Sequence, residues 1–111
     1  MAFQVLEADN FIADLEEAAL WLYSHNLEQS RQFADRKFIE LEQEINELKS
    51  HLQEMPRMGQ ADEITGLRSF PVYEGRYLVT WIIDDEASTV ILLEFIDLKY
   101  PKKLRGFTFE E

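Results

Sequence analysis

Two hydrophobic periods occupy separate parts of this chain, and they predict the α+β class: a short N-terminal strand, a helical hairpin and an antiparallel sheet, in the order β-α-α-β-β-β. The first observation is a stripe with alternating four- and three-residue spacing, Ala34, Phe38, Leu41, Ile45, Leu48, Leu52 and Met55, which is the period of one helix face. The second is the run of β-branched and aromatic residues in Ile64 to Val72, Arg76 to Ile83 and Thr89 to Ile96, separated by connections short enough for hairpins. The third is size. A chain of 111 residues with 46% hydrophobic content holds one buried core and is too short for two ordinary domains, so residues 1–111 are expected to form a single domain with 98–111 as its tail.

Each element has its own local reason. Phe3-Gln4-Val5-Leu6 is short and β-prone, and Asp9 or Asn10 can cap a helix whose apolar positions are Phe11, Leu15, Ala18 and Leu22. Trp21 and Tyr23 extend that face, and His25-Asn26 favours a turn. The second helix is expected from about Glu28 to Met55, roughly 40 Å at 1.5 Å per residue, and Pro56 ends it because the residue before proline disfavours the helical region. Two amphipathic helices joined by a few residues pack antiparallel and need a third layer to hide their stripes. Met58 to Asp62 reads as the loop leading to that layer. Glu74-Gly75 and Asp84 to Ser88 are the hairpin connections. In the middle strand Tyr77, Val79, Trp81 and Ile83 alternate with Leu78, Thr80 and Ile82, so neither face is wholly polar. A helix pair covers one face only, and the other is left for a further element, a partner chain or a substrate.

Charge and composition narrow the function classes. Twenty-two acids against eleven bases give a net charge of −11, a field that repels polyanions, so direct nucleic-acid binding is not expected without a local basic patch. The segment from Leu98 to Phe109 holds Lys99, Lys102, Lys103 and Arg105 with no acid. The absence of cysteine excludes disulfides, thiolate metal sites and cysteine nucleophiles. No phosphate loop, zinc-ligand spacing or serine nucleophile with its base is present, and neither a metal nor a cofactor is expected. With no membrane-length apolar run and no basic-then-apolar leader pattern, the expected location is the cytoplasm.

Four segments in succession carry a family resemblance: Leu52 through Gly59 with its Pro-x-x-Gly loop, Leu67-Arg68-Ser69-Phe70-Pro71-Val72, Tyr77-Leu78-Val79-Thr80-Trp81, and Val90 to Ile96. In this order they resemble the RelE/ParE superfamily of toxin-antitoxin toxins, the ParE-like branch in particular. Many ParE-like chains follow the last strand with histidine, glycine and arginine; here Asp97, Leu98, Lys99 and Tyr100 stand instead. The resemblance implies a plasmid-stabilisation toxin bound by a cognate antitoxin. It acts either as a ParE-like inhibitor of a protein such as DNA gyrase or as a RelE-like ribosome-dependent mRNA endonuclease. The acidic second helix favours the first, because docking it against ribosomal RNA opposes like charges.

The resemblance makes Arg68 the leading binding residue, a guanidinium beside the sheet that can hold a carboxylate or phosphate in two-pronged fashion; its plain alternative is an internal salt bridge. Trp81, Lys99, Tyr100, Lys102, Lys103 and Arg105 complete the expected target or partner contacts, the plain alternatives being a core tryptophan and a solvated tail. No catalytic residue is assigned outright. The nuclease alternative needs Arg68, Arg76, Lys99 and Tyr100 to converge in one pocket. Glu40, Glu42, Glu44 and Glu47 spread around a helix and read as a solvated face, and His25 and His51 fall too far apart to be taken as a pair. The regular stripe also permits a homodimer, or a non-toxic binding or dimerisation module.

Overall fold

The computed structural model describes residues 2–99. Its elements are β1 (Gln4–Glu7), α1 (Asp9–Asn26), α2 (Arg31–Glu54), β2 (Gln60–Ala61), β3 (Arg68–Val72), β4 (Tyr77–Asp84) and β5 (Thr89–Asp97). The five strands form one sheet in the order β1-β5-β4-β3-β2. From β2 to β5 every pairing is antiparallel. The sheet departs from the purely antiparallel expectation at one edge, where β1 lies parallel to β5, Val5 opposite Val90. A parallel neighbour needs a long crossover, and everything between β1 and β5 supplies it.

The helix ends show how local chemistry sets boundaries. Ala8, rather than Asp9 or Asn10, occupies the N-cap of α1 without a side-chain bond, and Asp9 sits in the first turn, where the helix dipole favours a carboxylate. In α2 the Ser30 hydroxyl accepts the Phe33 N–H at 2.9 Å, so this helix starts at Arg31 and not at about Glu28 as expected. Five of the seven stripe residues are buried: Ala34, Leu41, Ile45, Leu48 and Leu52. Each of the larger four contributes about 1.5–3 kcal/mol by leaving water. Met55 lies past the last helical residue, with φ −130°, so the helical period no longer aims it inward. Phe38 lines a gap beside Ala19.

The strands meet that stripe from the other side. Tyr77, Val79 and Trp81 are fully buried on the helix-facing side of β4. In β5 a register shift places Thr80 opposite Glu94 but Trp81 opposite Leu92, leaving Leu93 as the extra residue of a bulge. Because of it Leu92 and Phe95, three apart, are both buried, which strict alternation would forbid. Phe95 meets Phe11 edge-on at 6.0 Å and stacks on Tyr77 at 4.7 Å, tying α1 to the sheet.

Two segments differ from their expected state. Ile64 and Thr65 are not strand. The Asp62 carboxylate accepts the Ile64 N–H, Gly66 N–H donates to the Asp62 carbonyl, and Asp62 N–H donates to the Leu67 carbonyl, which closes 62–67 into a tight turn and leaves Ile64 in solvent. The hydrogen bond from Ile64, and then that from Thr65, hold the Asp62 carboxyl below the usual range. Gln60–Ala61, expected within a loop, forms a two-residue edge strand on Ser69 and Arg68.

Candidate partner-binding face and the supports beneath it

Alternation along β4 gives the sheet a second face, directed away from the helices. Leu78 pairs with Ile96, Thr80 with Glu94 and Ile82 with Ile91 across β5. Leu6 of β1 lies beside Ile91, and Ser69 and Pro71 of β3 lie beside Thr80 and Leu78. Both helices pack on the opposite side, so among the described residues this face has no helical cover. Leu6 keeps 44% and Ile82 36% of its surface in solvent. A shallow hollow of about 260 Å³ continues the face toward β2, lined by Gln60, Ala61, Asp62, Leu67, Ser69, Leu78 and Thr80. Its chemistry is apolar with a few polar groups, the Thr80 hydroxyl donating to Glu94 at 3.3 Å. A face of that composition suits association with another apolar surface.

At one end of β4, Arg68 and Trp81 are directed to the loop after α2. The indole N–H of Trp81 donates to the Pro56 carbonyl at 3.0 Å. The Arg68 guanidinium donates to the Met58 carbonyl at 3.2 Å and to the Arg57 carbonyl at 2.5 Å. Gly59 completes the lock: its φ is +82°, and a Cβ there would stand 2.3 Å from the Ser69 carbonyl oxygen, so only glycine allows this approach. Arg57 in turn pairs with Asp85 at the β4–β5 connection. Arg68 therefore satisfies backbone carbonyls rather than an acidic side chain. Trp81, expected among the partner contacts, is corrected by its burial: with no exposed surface it supports the face from behind and cannot touch a partner.

At the other end, Arg76 makes a two-pronged pair with Asp97 at 3.0 and 3.2 Å and lies over the rings of Trp21 at 4.8 Å and Tyr77 at 5.2 Å. The Lys99 backbone N–H donates to the same Asp97 carboxylate. Beyond this, His25 stacks on Trp21 at 3.7 Å. The nearby turn has positive φ at Tyr73, Glu74 and Gly75, a costly conformation for the first two. Glu44 of α2 holds it by accepting the Tyr73 N–H at 2.6 Å. Glu44 is thus not part of a solvated face as its neighbours suggested. Burial, then the charges of Glu40, the Tyr77 hydroxyl, Glu44 and Glu74, push the Tyr73 hydroxyl up to about 12.

The four residues of the nuclease alternative are placed as follows. Arg76 reaches Asp97 with its guanidinium, and Lys99 reaches it with its backbone N–H. Arg68 faces Trp81, four residues and about 13 Å along β4 from Tyr77, so it does not join them. Tyr100 lies outside the described residues, as do Lys102, Lys103 and Arg105. His25 and His51 are on different helices and make no pair; His51 borders a groove with Phe70. Among the described residues no group of three or more potential ligands could hold a metal, and no helix is long and apolar enough to cross a membrane. Asp97 and Glu44 were missed by sequence reasoning. Nothing local in the sequence ties either to its partner, 21 and 29 residues away.

No family model and no curated protein matches the chain. Among solved structures it is similar to a chain described as "Chromosomal ParDE TA system from P. aeruginosa", with a TM-score of 0.61 and 16% identity, over 86% of this chain and 96% of that one. At that identity the likeness shows the fold alone, and the fold is the RelE/ParE-like α+β architecture that the four sequence segments resemble.

Proposed function

We propose that this chain is a ParE-like toxin of a toxin-antitoxin pair, acting in the cytoplasm by binding and inhibiting a protein target such as DNA gyrase, and held inactive by a cognate antitoxin laid over the open face of the sheet. The observation that carries the reading is the likeness to a ParDE chain across 86% of the sequence, joined to an apolar strand face that the described helices leave uncovered. An antitoxin helix and extended segment would bury Leu78, Ile82, Ile91 and Ile96 and add hydrogen bonds at a sheet edge. Action by contact is favoured over RNA cleavage because the cations a nuclease would need are committed elsewhere: Arg68 to the carbonyls of Arg57 and Met58, Arg76 to Asp97. Transition-state stabilisation of a phosphorane needs several free cations aimed at one point.

The test is controlled expression without any antitoxin. Growth arrest with DNA-damage signalling and intact transcripts is the expected result. Codon-boundary cuts in mRNA would instead establish the nuclease, and harmless expression would leave a non-toxic binding module.

A further inference from the structure

The open strand face carries an ionisable group at its middle. Glu94 stands there opposite Thr80, with Leu78 beside Ile96 on one side and Ile82 beside Ile91 on the other. The bulge at Leu93 is the reason: with strict alternation from the buried Leu92, Glu94 would point into the core and Phe95 outward. Glu94 is exposed, and its carboxylate accepts the Thr80 hydroxyl at 3.3 Å. Thr80 is only 6% exposed, so one carboxylate oxygen is held in place from beneath. Among the described residues no cation pairs with Glu94: Lys49 reaches Glu7, Arg57 reaches Asp85, Arg68 reaches backbone carbonyls and Arg76 reaches Asp97. The hollow that continues this face adds a second carboxylate, Asp62.

We infer that Glu94 is the residue by which this face selects its occupant, a segment of a partner protein that carries an arginine or lysine between bulky apolar residues. The inference rests on the reading of this face as the one a partner covers, and adds the chemistry of the segment that fits. An apolar cover strips water from everything beneath it. Leu78, Ile82, Ile91 and Ile96 are stabilised by that, whereas an ionised carboxylate left with one hydroxyl loses its hydration without replacement. A cation delivered by the cover restores the lost interactions, a guanidinium through two parallel N–H donors. Leu78 and Ile82 each lie two residues from Thr80, about 7 Å along the strand, so in an extended segment the cation belongs two residues from an apolar side chain on either side. The pair contributes discrimination: leucine at that position buries an unpaired charge, and aspartate or glutamate adds repulsion. A second copy of this chain is disfavoured, because at a net charge of −11 it brings one acidic face against another.

The experiment uses the purified full chain as bait for a displayed library of peptides of about 13 residues, apolar at alternate positions and randomised at the centre of that apolar face. Peptides that also bind Ile82→Lys are discarded, which leaves those seated on the open face. The survivors are expected to carry arginine or lysine at the centre. A synthetic copy of the most frequent one should bind Glu94→Gln at least tenfold more weakly than the unmodified chain, and selection on Glu94→Arg should return aspartate or glutamate instead. Survivors without a central cation, equal binding to Glu94→Gln, or a library with no peptide that Ile82→Lys loses would overturn the inference. So would tenfold tighter capture by a chain carrying Lys102→Gln, Lys103→Gln and Arg105→Gln, since the chain's own cations would then be the ones that satisfy Glu94. Growth arrest is judged separately. Cationic survivors with harmless expression would remove the toxin reading and keep this recognition, and arrest without any cation preference would do the reverse.

Discussion

Neighbouring residues on β4 meet opposite fates. Tyr77, Val79 and Trp81 face the helices and are fully buried, whereas Leu78 and Ile82, one peptide away and equally apolar, remain partly in water. Side chains of the first set hold the protein together through packing and through the indole bond to Pro56. Those of the second set meet only neighbours within the sheet, Leu78 beside Ile96 and Pro71, and Ile82 beside Ile91. When two faces of one strand carry similar hydrophobicity and only one has intramolecular cover, the other is open to association.

The most severe way to break this contrast is to truncate both faces in turn. Trp81→Ala is expected to cost about 3–5 kcal/mol, because it leaves a large cavity and an unpaired Pro56 carbonyl; Leu78→Ala should cost about 1 kcal/mol or less. Urea unfolding measures both, and equal losses would mean the faces do not differ. A second test places a charge on the open side. Ile82→Lys should leave the unfolding midpoint nearly unchanged but weaken binding of the proposed antitoxin at least tenfold, about 1.4 kcal/mol, in a pull-down or calorimetric titration. Retained affinity would move the partner off this face.

Smaller effects sharpen the account of the supports. Glu44→Ala removes the acceptor for Tyr73 N–H and is expected to lower stability by about 1–2 kcal/mol, with the loss confined to the β3–β4 turn in hydrogen exchange. The least effect concerns pH. The Tyr73 hydroxyl is raised from 10.0 to about 12, so the folded state retains a proton that the unfolded chain releases. Its stabilising contribution is full below pH 10 and is lost as pH rises toward 12. Tyr73→Phe should flatten the alkaline fall in stability over that window, and an unchanged slope would show that Tyr73 does not titrate as described.

Much of the fold was readable because it depends on local pattern. The α2 stripe and the alternation in β4 follow from periods of 3.6 and 2 residues, and the stop before Pro56 from proline's restriction of its neighbour; five of the seven stripe residues are buried as the period places them, Phe38 and Met55 being the exceptions. The parallel docking of β1 on β5 was not readable, since pairing partners far apart in the chain leave no periodic trace. The roles of the site residues were less legible still. Arg68 carries a guanidinium suited to ligands, yet the bend after α2 offers it two carbonyls; Arg76 finds Asp97 only once β4 and β5 align.

By itself, then, the sequence determined the two kinds of secondary structure, their order and the presence of apolar residues on both faces of the middle strand. Tertiary structure decided which face is covered, which cations are neutralised and where the unfilled surfaces lie. The reason is physical: backbone preference and hydrophobic period act between near neighbours, whereas burial and charge pairing are set by whatever distant residues the packed chain brings into contact.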